Sequence, residues 1–172
     1  MSGASSQPGH RRPVWGRKKD MFYIVFLFLV VFLALTIDFV PLYPVELPSW
    51  ATALHDYYRM NYNDPLYAKD PPFFRLYVFI EAIYSVPTCI WAIRGLIQDN
   101  NMVPVYLLVF ATHLVTSTLV CFVEVLATKD WPKEDINKNL PGYVIFFAVA
   151  SVLWVDMFSR VKTALKGKTK LS

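Results

Sequence analysis

The chain has 172 residues, 55% of them hydrophobic and only 17% charged, and its mean hydropathy is +0.37. Soluble domains carry about 25% charged residues, so a water-soluble globule is disfavoured and one membrane-resident domain is the simplest account. The net charge of +4 gathers in two tails, Arg11, Arg12, Arg17, Lys18 and Lys19 at one end and Arg160, Lys162, Lys166, Lys168 and Lys170 at the other; with no aromatics interleaved, these residues argue for lipid headgroups and against nucleic acid.

Residues 1–20 are polar and contain Gly, Ser and Pro, so they are expected to form a disordered tail. Residues 21–39 are almost continuously apolar and long enough to cross the hydrocarbon layer. The run is too long for a signal-peptide core, and no small-residue cleavage site follows it, so it is predicted to be a retained first span. Residues 40–72 contain six prolines, which excludes one continuous helix. A short amphipathic helix over 49–62 fits, with Asp56 and Arg59 on its wet side, and the segment can cap the bundle.

Second and third spans are predicted at 73–97 and 102–123, joined as a hairpin by the polar turn QDNN. The charged stretch 124–140 reads as a loop. A fourth span is predicted at 141–159, with Pro141-Gly142 marking its start. The fold class is therefore an all-α membrane protein, a four-transmembrane-helix bundle occupying about 21–160, with a basic tail at 161–172. The loops at 40–72 and 124–140 hold two and three basic residues, each against four acids, so the positive-inside rule places both termini in the cytosol. The turn at 98–101 then also faces the cytosol, although Asp99 is its only charge and the nearby Arg94 has to supply the positive flank. Cys89 and Cys121 both fall in apolar stretches and are expected to be buried free thiols.

Ionisable side chains in hydrocarbon need a reason. Glu81 lies eight residues into the second span, roughly 12 Å deep, too deep for its short side chain to snorkel. Tyr77, Tyr84, Ser85 and Thr88 share its helix face. Pro87 leaves the Ile83 carbonyl without its donor and can kink the span to open a cavity. A bundle-facing acid of this kind either binds a ligand or fastens helices together, and both readings stand at this point. His113 sits midway along the third span with Tyr106, Thr116 and Ser117 on its face, as a pocket residue or an interhelical donor. Asp38 closes the first span, and antiparallel packing brings it into the leaflet of Glu81. Two such carboxyls share a proton or attract a cation, and a hydrophobic amine suits them, its body lying against aromatic rings. Asp156 reads as an interfacial acid near Arg160, without function. No hydrolase, phosphate-loop or zinc motif is present, and no cofactor or metal is expected.

The ordered set Asp64-Pro65-Leu66, Pro71-Pro72-Phe73-Phe74, Phe79-Ile80-Glu81 and Val86-Pro87, preceded by Asp38 and Leu42-Tyr43-Pro44-Val45-Glu46, resembles the sigma-2 receptor-like branch of the EXPERA family. The likeness covers most of 21–160, extends more weakly to His113 and the Pro141–Tyr143 region, and is closest between 38 and 91. It implies an endoplasmic reticulum protein, homodimeric in the manner of that branch, that binds sterols and hydrophobic amines in an intramembrane pocket. By the resemblance Asp38 makes the salt bridge to the ligand's cation, Glu81 supports it, and Tyr77, Tyr84, Ser85, His113, Thr116 and Tyr143 complete the pocket. Asp64 and Pro87 are structural. Ser85 departs from the branch, where Gln stands, so the polar rim differs. The emopamil-binding sterol isomerases of the same family carry His four residues before the second-span acid; here that residue is Tyr77, a poor proton carrier near neutral pH, so an enzyme is disfavoured though His113 could substitute. A non-catalytic scaffold or trafficking partner is a further alternative. Lys168 and Lys170, three and five residues from the C-terminus, resemble a cytosolic dilysine retrieval signal.

Overall fold

A computed structural model describes residues 13–43 and 48–169. Four helices are long and apolar enough to cross a membrane: Lys18–Asp38, Pro72–Ile97, Val103–Ala127 and Lys133–Gly167. The protein is therefore a multi-pass, four-span helical bundle.

The first span consists of α1 (Lys18–Leu33) and a π-helical turn, Ala34–Asp38. The turn ends where Pro41 cannot donate back to the Ile37 carbonyl. That carbonyl instead meets His55 Nδ1 at 3.1 Å, and the Leu35 carbonyl accepts from the Tyr43 hydroxyl at 3.1 Å. The segment predicted as a short amphipathic helix is α2 (Ser49–Tyr62), which Asn63 ends in the left-handed region at φ 42°. A single turn, α3 (Pro65–Lys69), follows, with Asp64 as its N-cap. Together α2 and α3 form a lid over one end of the bundle.

The second span is α4 (Pro72–Ile80), a π-helical turn at Glu81–Ser85, and α5 (Val86–Ile97). Pro87 stands just after the π-helical turn and has no N–H to give to the carbonyls of that turn, so the widened turn falls where the helical ladder lacks a donor. The widened turn before it bonds the Val86 amide back to the Glu81 carbonyl. Both intramembrane acids, Asp38 and Glu81, thus sit in π-helical turns, where one span is re-aimed relative to the other.

The third and fourth spans are α6 (Val103–Ala127) and α7 (Lys133–Thr169). Here the structure corrects the sequence reading. Residues 124–140 are not a loop: α6 continues to Ala127, and α7 begins at Lys133 rather than at Pro141. Glu134 and Asp135 in its first turn favour that start, since acids suit a helix N-terminus. Pro141 then lies inside the helix, its ring on an exposed face, and packing outweighs an interior-proline cost of about 3 kcal/mol. The far end of α7 continues to Thr169, through most of the expected tail. Likewise residues 13–20 are folded, with a 3-10 turn at Val14–Gly16 and α1 beginning at Lys18. The expected disorder of 1–12 lies outside the described residues, as do Lys170 and the side chain of Lys168.

The core at the terminal end of the bundle is built from Phe26, Leu27 and Val30 of α1, Ala92 and Leu96 of α5, Leu107 and Phe110 of α6, and Leu153 and Met157 of α7. In lipid such packing gains from close contact rather than from water release. At Gly95 a Cβ would come within 2.4 Å of Val103 Cγ2, so the α5–α6 hairpin needs that glycine. A polar cluster closes this end. Asp20, 4% exposed, pairs with Arg160 at 2.7 Å and Arg17 at 2.5 Å. Arg17 also reaches Asp99 at 3.2 Å and the Leu96 carbonyl at 2.6 Å. Arg160 and Lys19 both meet Asp156. The positive charge beside the 98–101 turn thus comes from Arg17, across the bundle. Cys89 and Cys121 are buried free thiols in separate clusters.

Candidate functional site

At the lid end the spans part around a cavity of about 620 Å³. Its apolar walls include Val30, Leu33, Phe74, Phe110, Leu114 and Phe146, and its polar groups come from all four spans and both lid helices. Asp38 and Glu81, forty-three positions apart in sequence, meet here within hydrogen-bonding reach of each other. Two carboxyls this close in an apolar setting either share a proton or take a cation between them. The Tyr67 hydroxyl from α3 donates to Asp38. Among the described residues neither acid has a basic partner. Lys138, in the cavity wall, is engaged with Glu134 at 3.1 Å and Asp135 at 3.8 Å.

A third acid organises the lid. Asp64 is 1% exposed. Its Oδ1 accepts the Leu66 amide at 2.9 Å, capping α3, and its Oδ2 accepts the hydroxyls of Tyr143 at 2.7 Å and Tyr58 at 3.2 Å. Burial raises the Asp64 carboxyl above its ordinary value and the three donors pull the other way. Burial, with Asp64 and Asp38 nearby, likewise drives the Tyr58 phenol upward, and burial beside Asp38 drives that of Tyr67 well above its ordinary value. Both phenols therefore remain hydrogen-bond donors. The lid is also fastened to the start of α7: Asn63 Nδ2 donates to Asp135 at 2.8 Å, Trp131 Nε1 to the Asn63 carbonyl at 2.7 Å, and Asn139 Nδ2 to the Tyr62 carbonyl at 2.8 Å.

Of the residues singled out from sequence, Asp38, Glu81, Tyr77, Ser85, His113 and Tyr143 line the cavity. Tyr84 and Thr116 do not. Tyr84 stands behind His113, its ring edge-on at 6.0 Å, opposite Tyr77 at 6.2 Å. The Thr116 hydroxyl turns back to the Thr112 and His113 carbonyls on an exposed face. A β-hydroxyl in a helix is readily satisfied this way, so shared helical phase did not bring it to the site. Asp156 belongs to the ion cluster at the opposite end. Among the described residues no three His, Cys, Asp or Glu side chains gather as metal ligands.

Sequence reasoning missed Tyr58, Tyr67 and His55. A signal for two of them was present: Ala51, His55, Tyr58 and Tyr62 fall on one stripe of α2 at helical spacing. Tyr67 has no such periodic signal, because the turn at Asn63 resets the phase before it.

The sequence pattern of EXPERA (EXPanded EBP superfamily) matches residues 50–157, well over half of the chain. The chain belongs to the EXPERA family. Comparison with curated proteins found no match. The EXPERA match takes in the lid and the last three spans, hence Asp64, Glu81, His113 and Tyr143. Asp38 lies before it, on the span that packs across α5 and delivers its carboxyl to an EXPERA acid. Membership indicates a sterol-related membrane protein.

Proposed function

We propose that this EXPERA protein binds sterol-like and hydrophobic cationic amphiphiles in the membrane-embedded cavity, as a sigma-2 receptor-like protein of the endoplasmic reticulum with both termini in the cytosol. One observation carries the reading: two carboxyls from different spans meet, with no basic partner among the described residues, in the wall of a mostly apolar cavity of ligand size. An ammonium group supplies the missing charge, with Asp38 as its direct partner and Glu81 holding Asp38. The ligand's apolar body lies along Val30, Phe110 and Phe146, and Ser85 and His113 provide hydrogen-bonding positions further along the cavity. Access is from the bilayer. Pro141, Gly142 and Ile145 belong to the cavity wall and are exposed on the face of α7, and Gly142 has open space where a Cβ would stand. Sensing or trafficking of sterols, and assembly as a homodimer, are the roles that fit this reading.

The test is saturation binding of a labelled hydrophobic amine to membranes carrying the intact protein, Asp38→Asn or Glu81→Gln. Removing one partner of a buried charge pair costs about 3–5 kcal/mol, so Asp38→Asn is expected to weaken binding by more than about a hundredfold in protein that remains folded. Equal binding by both variants would mean that the acids only fasten helices, the scaffold reading.

A second reading, a sterol isomerase, draws on His113, which faces the same cavity as Glu81. Incubating purified protein with a sterol bearing a movable ring double bond distinguishes it. Product formation abolished by both Glu81→Gln and His113→Ala establishes an enzyme; with Tyr77 in the place of the isomerase histidine, no turnover is expected.

A further inference from the structure

The carboxyl pair is enclosed by membrane spans, yet a second cavity, about 330 Å³, lies immediately outside it in the lid. Its walls include Asp56, Arg59 and Asn63, all exposed, together with Ala68. Such charged surroundings make it a water-filled chamber. Two side chains, Tyr58 and Tyr67, belong to the walls of both cavities and form the partition between them.

The two phenols are not equivalent. The hydroxyl of Tyr58 is committed to Asp64. The hydroxyl of Tyr67 donates to Asp38, while its ring is held edge-on between Tyr58 at 5.4 Å and Phe74 at 4.9 Å. Its oxygen keeps a free acceptor position, because a phenol donates once and can also accept. One side chain therefore touches the acid pair and borders the chamber.

We propose that the lid chamber is the aqueous terminus of a proton path to the Asp38–Glu81 pair, and that Tyr67 is the positioning residue that relays the proton. The step balances without a charged phenol. A hydronium in the chamber passes its proton to the Tyr67 oxygen and becomes water as the Tyr67 hydroxyl proton moves to Asp38, and rotation of the hydroxyl restores the starting arrangement. The reverse sequence carries a proton out. The hydrocarbon side offers no such route, because a bare charge there is prohibitively costly. The groups facing Asp38 are Glu81 from the second span, Cys121 from the third, Tyr67 and Asp64 from α3 and its cap, and Tyr58 from α2. His113 and Lys138 lie elsewhere in the cavity wall.

The use of the path rests on the amine-binding reading above. An amine that arrives through the bilayer does so as the neutral base. It becomes an ammonium by taking the proton shared by the pair, which leaves two carboxylates around one cation. The amine leaves through the bilayer as the neutral base and returns that proton to the pair, and the chamber sets whether the pair holds a proton when an amine arrives. Loading is in this way coupled to the pH of the compartment facing the lid.

The experiment needs no ligand, so its failure is separate from failure of the amine-binding reading. The intact protein in lipid bilayers is rinsed from H₂O into D₂O, and the infrared C=O stretch of the protonated carboxyl is followed in time, the band being assigned by its loss in Glu81→Gln. Tyr67→Phe is expected to slow its deuteration by about a hundredfold, the lower end of what a positioned proton-transfer group contributes. Ala68→Trp, which fills the chamber and leaves Tyr67 in place, is expected to slow it as well, and it serves as the second variant if Tyr67→Phe does not fold. Tyr57→Phe, on the exposed side of α2, leaves the rate unchanged. Wild-type exchange rates in folded Tyr67→Phe or Ala68→Trp would overturn the proposal, as would the lack of any protonated-carboxyl band sensitive to Glu81→Gln.

Discussion

The two ends of the bundle treat buried acids in opposite ways. At the terminal end Asp20, Asp99 and Asp156 each meet an arginine, and the cluster locks the starts and ends of three spans together. At the lid end Asp38, Glu81 and Asp64 meet phenols, an amide and one another. Below the acid cluster of the terminal end lies close packing; between the acids of the lid end lies a cavity. An acid already paired with arginine has no use for a ligand's cation, whereas an acid held by neutral donors keeps its charge on offer. The contrast is the physical reason for placing the proposed binding chemistry at the lid end, independent of any relative.

Breaking the terminal cluster should have the largest effect on stability. Asp20→Ala removes the acid that Arg17 and Arg160 share and leaves each with its other carboxylate, Asp99 or Asp156; the two lost charge-assisted bonds are expected to cost about 3–5 kcal/mol in all, read as a drop in thermal unfolding temperature in detergent. The cavity lies at the other end, so amine affinity in the protein that stays folded should be retained. Asp64→Ala works the other way. It removes the cap of α3 and the acceptor of two buried hydroxyls, costing about 2–4 kcal/mol in all. Here the lid should open first, seen as protease cleavage between residues 49 and 70 while the spans remain protected. Gly95→Ala is expected to cost about 1–3 kcal/mol by overpacking, recovered in part when Val103→Ala makes room for the new methyl. The smallest effect is that of pH on the lid. The Asp64 carboxyl is raised above 3.8 in the folded protein, so between the two values the folded form holds a proton that the unfolded chain has released. Lid stability therefore falls as pH rises through that window and improves on acidification toward pH about 4. Protease resistance of α2 and α3 across that range checks the sign.

Much of this was legible in the sequence, and the parts that were not share a cause. Four apolar runs announce four spans because a bilayer demands length and apolarity whatever the tertiary contacts. The limits of α2 were readable from Pro48, the amphipathic run and Asn63. The start of α7 was not, because Pro141-Gly142 imitates a helix start, whereas Pro132 and the acids after it provide the actual one. At the site, Asp38 and Glu81 stood out because charge is rare in hydrocarbon. Thr116 misled because a threonine can satisfy its hydroxyl on its own helix. Tyr67 was hidden since tyrosines are common in this chain, and only the fold sets this one against Asp38. Arg17, read as part of a loose basic tail, turned out to be a strut of the bundle for the same reason: its partners, Asp99 and Leu96, are some eighty positions away.

The length of α7 gives the lid an unusual foundation. Its 37 residues make a rod of about 55 Å, while the hydrocarbon layer is about 30 Å thick. A rod that long must lean, or stand clear of the bilayer at one end or both, and how far it leans depends on the thickness of the membrane around it. The lid is tied through Asn63 and the Tyr62 carbonyl to the first two turns of this rod, beyond the proline that interrupts its backbone bonding. The roof of the cavity is thus anchored to the polar first turns of the rod that crosses the membrane, so a change in how the fourth span sits in the bilayer is carried directly to the pocket.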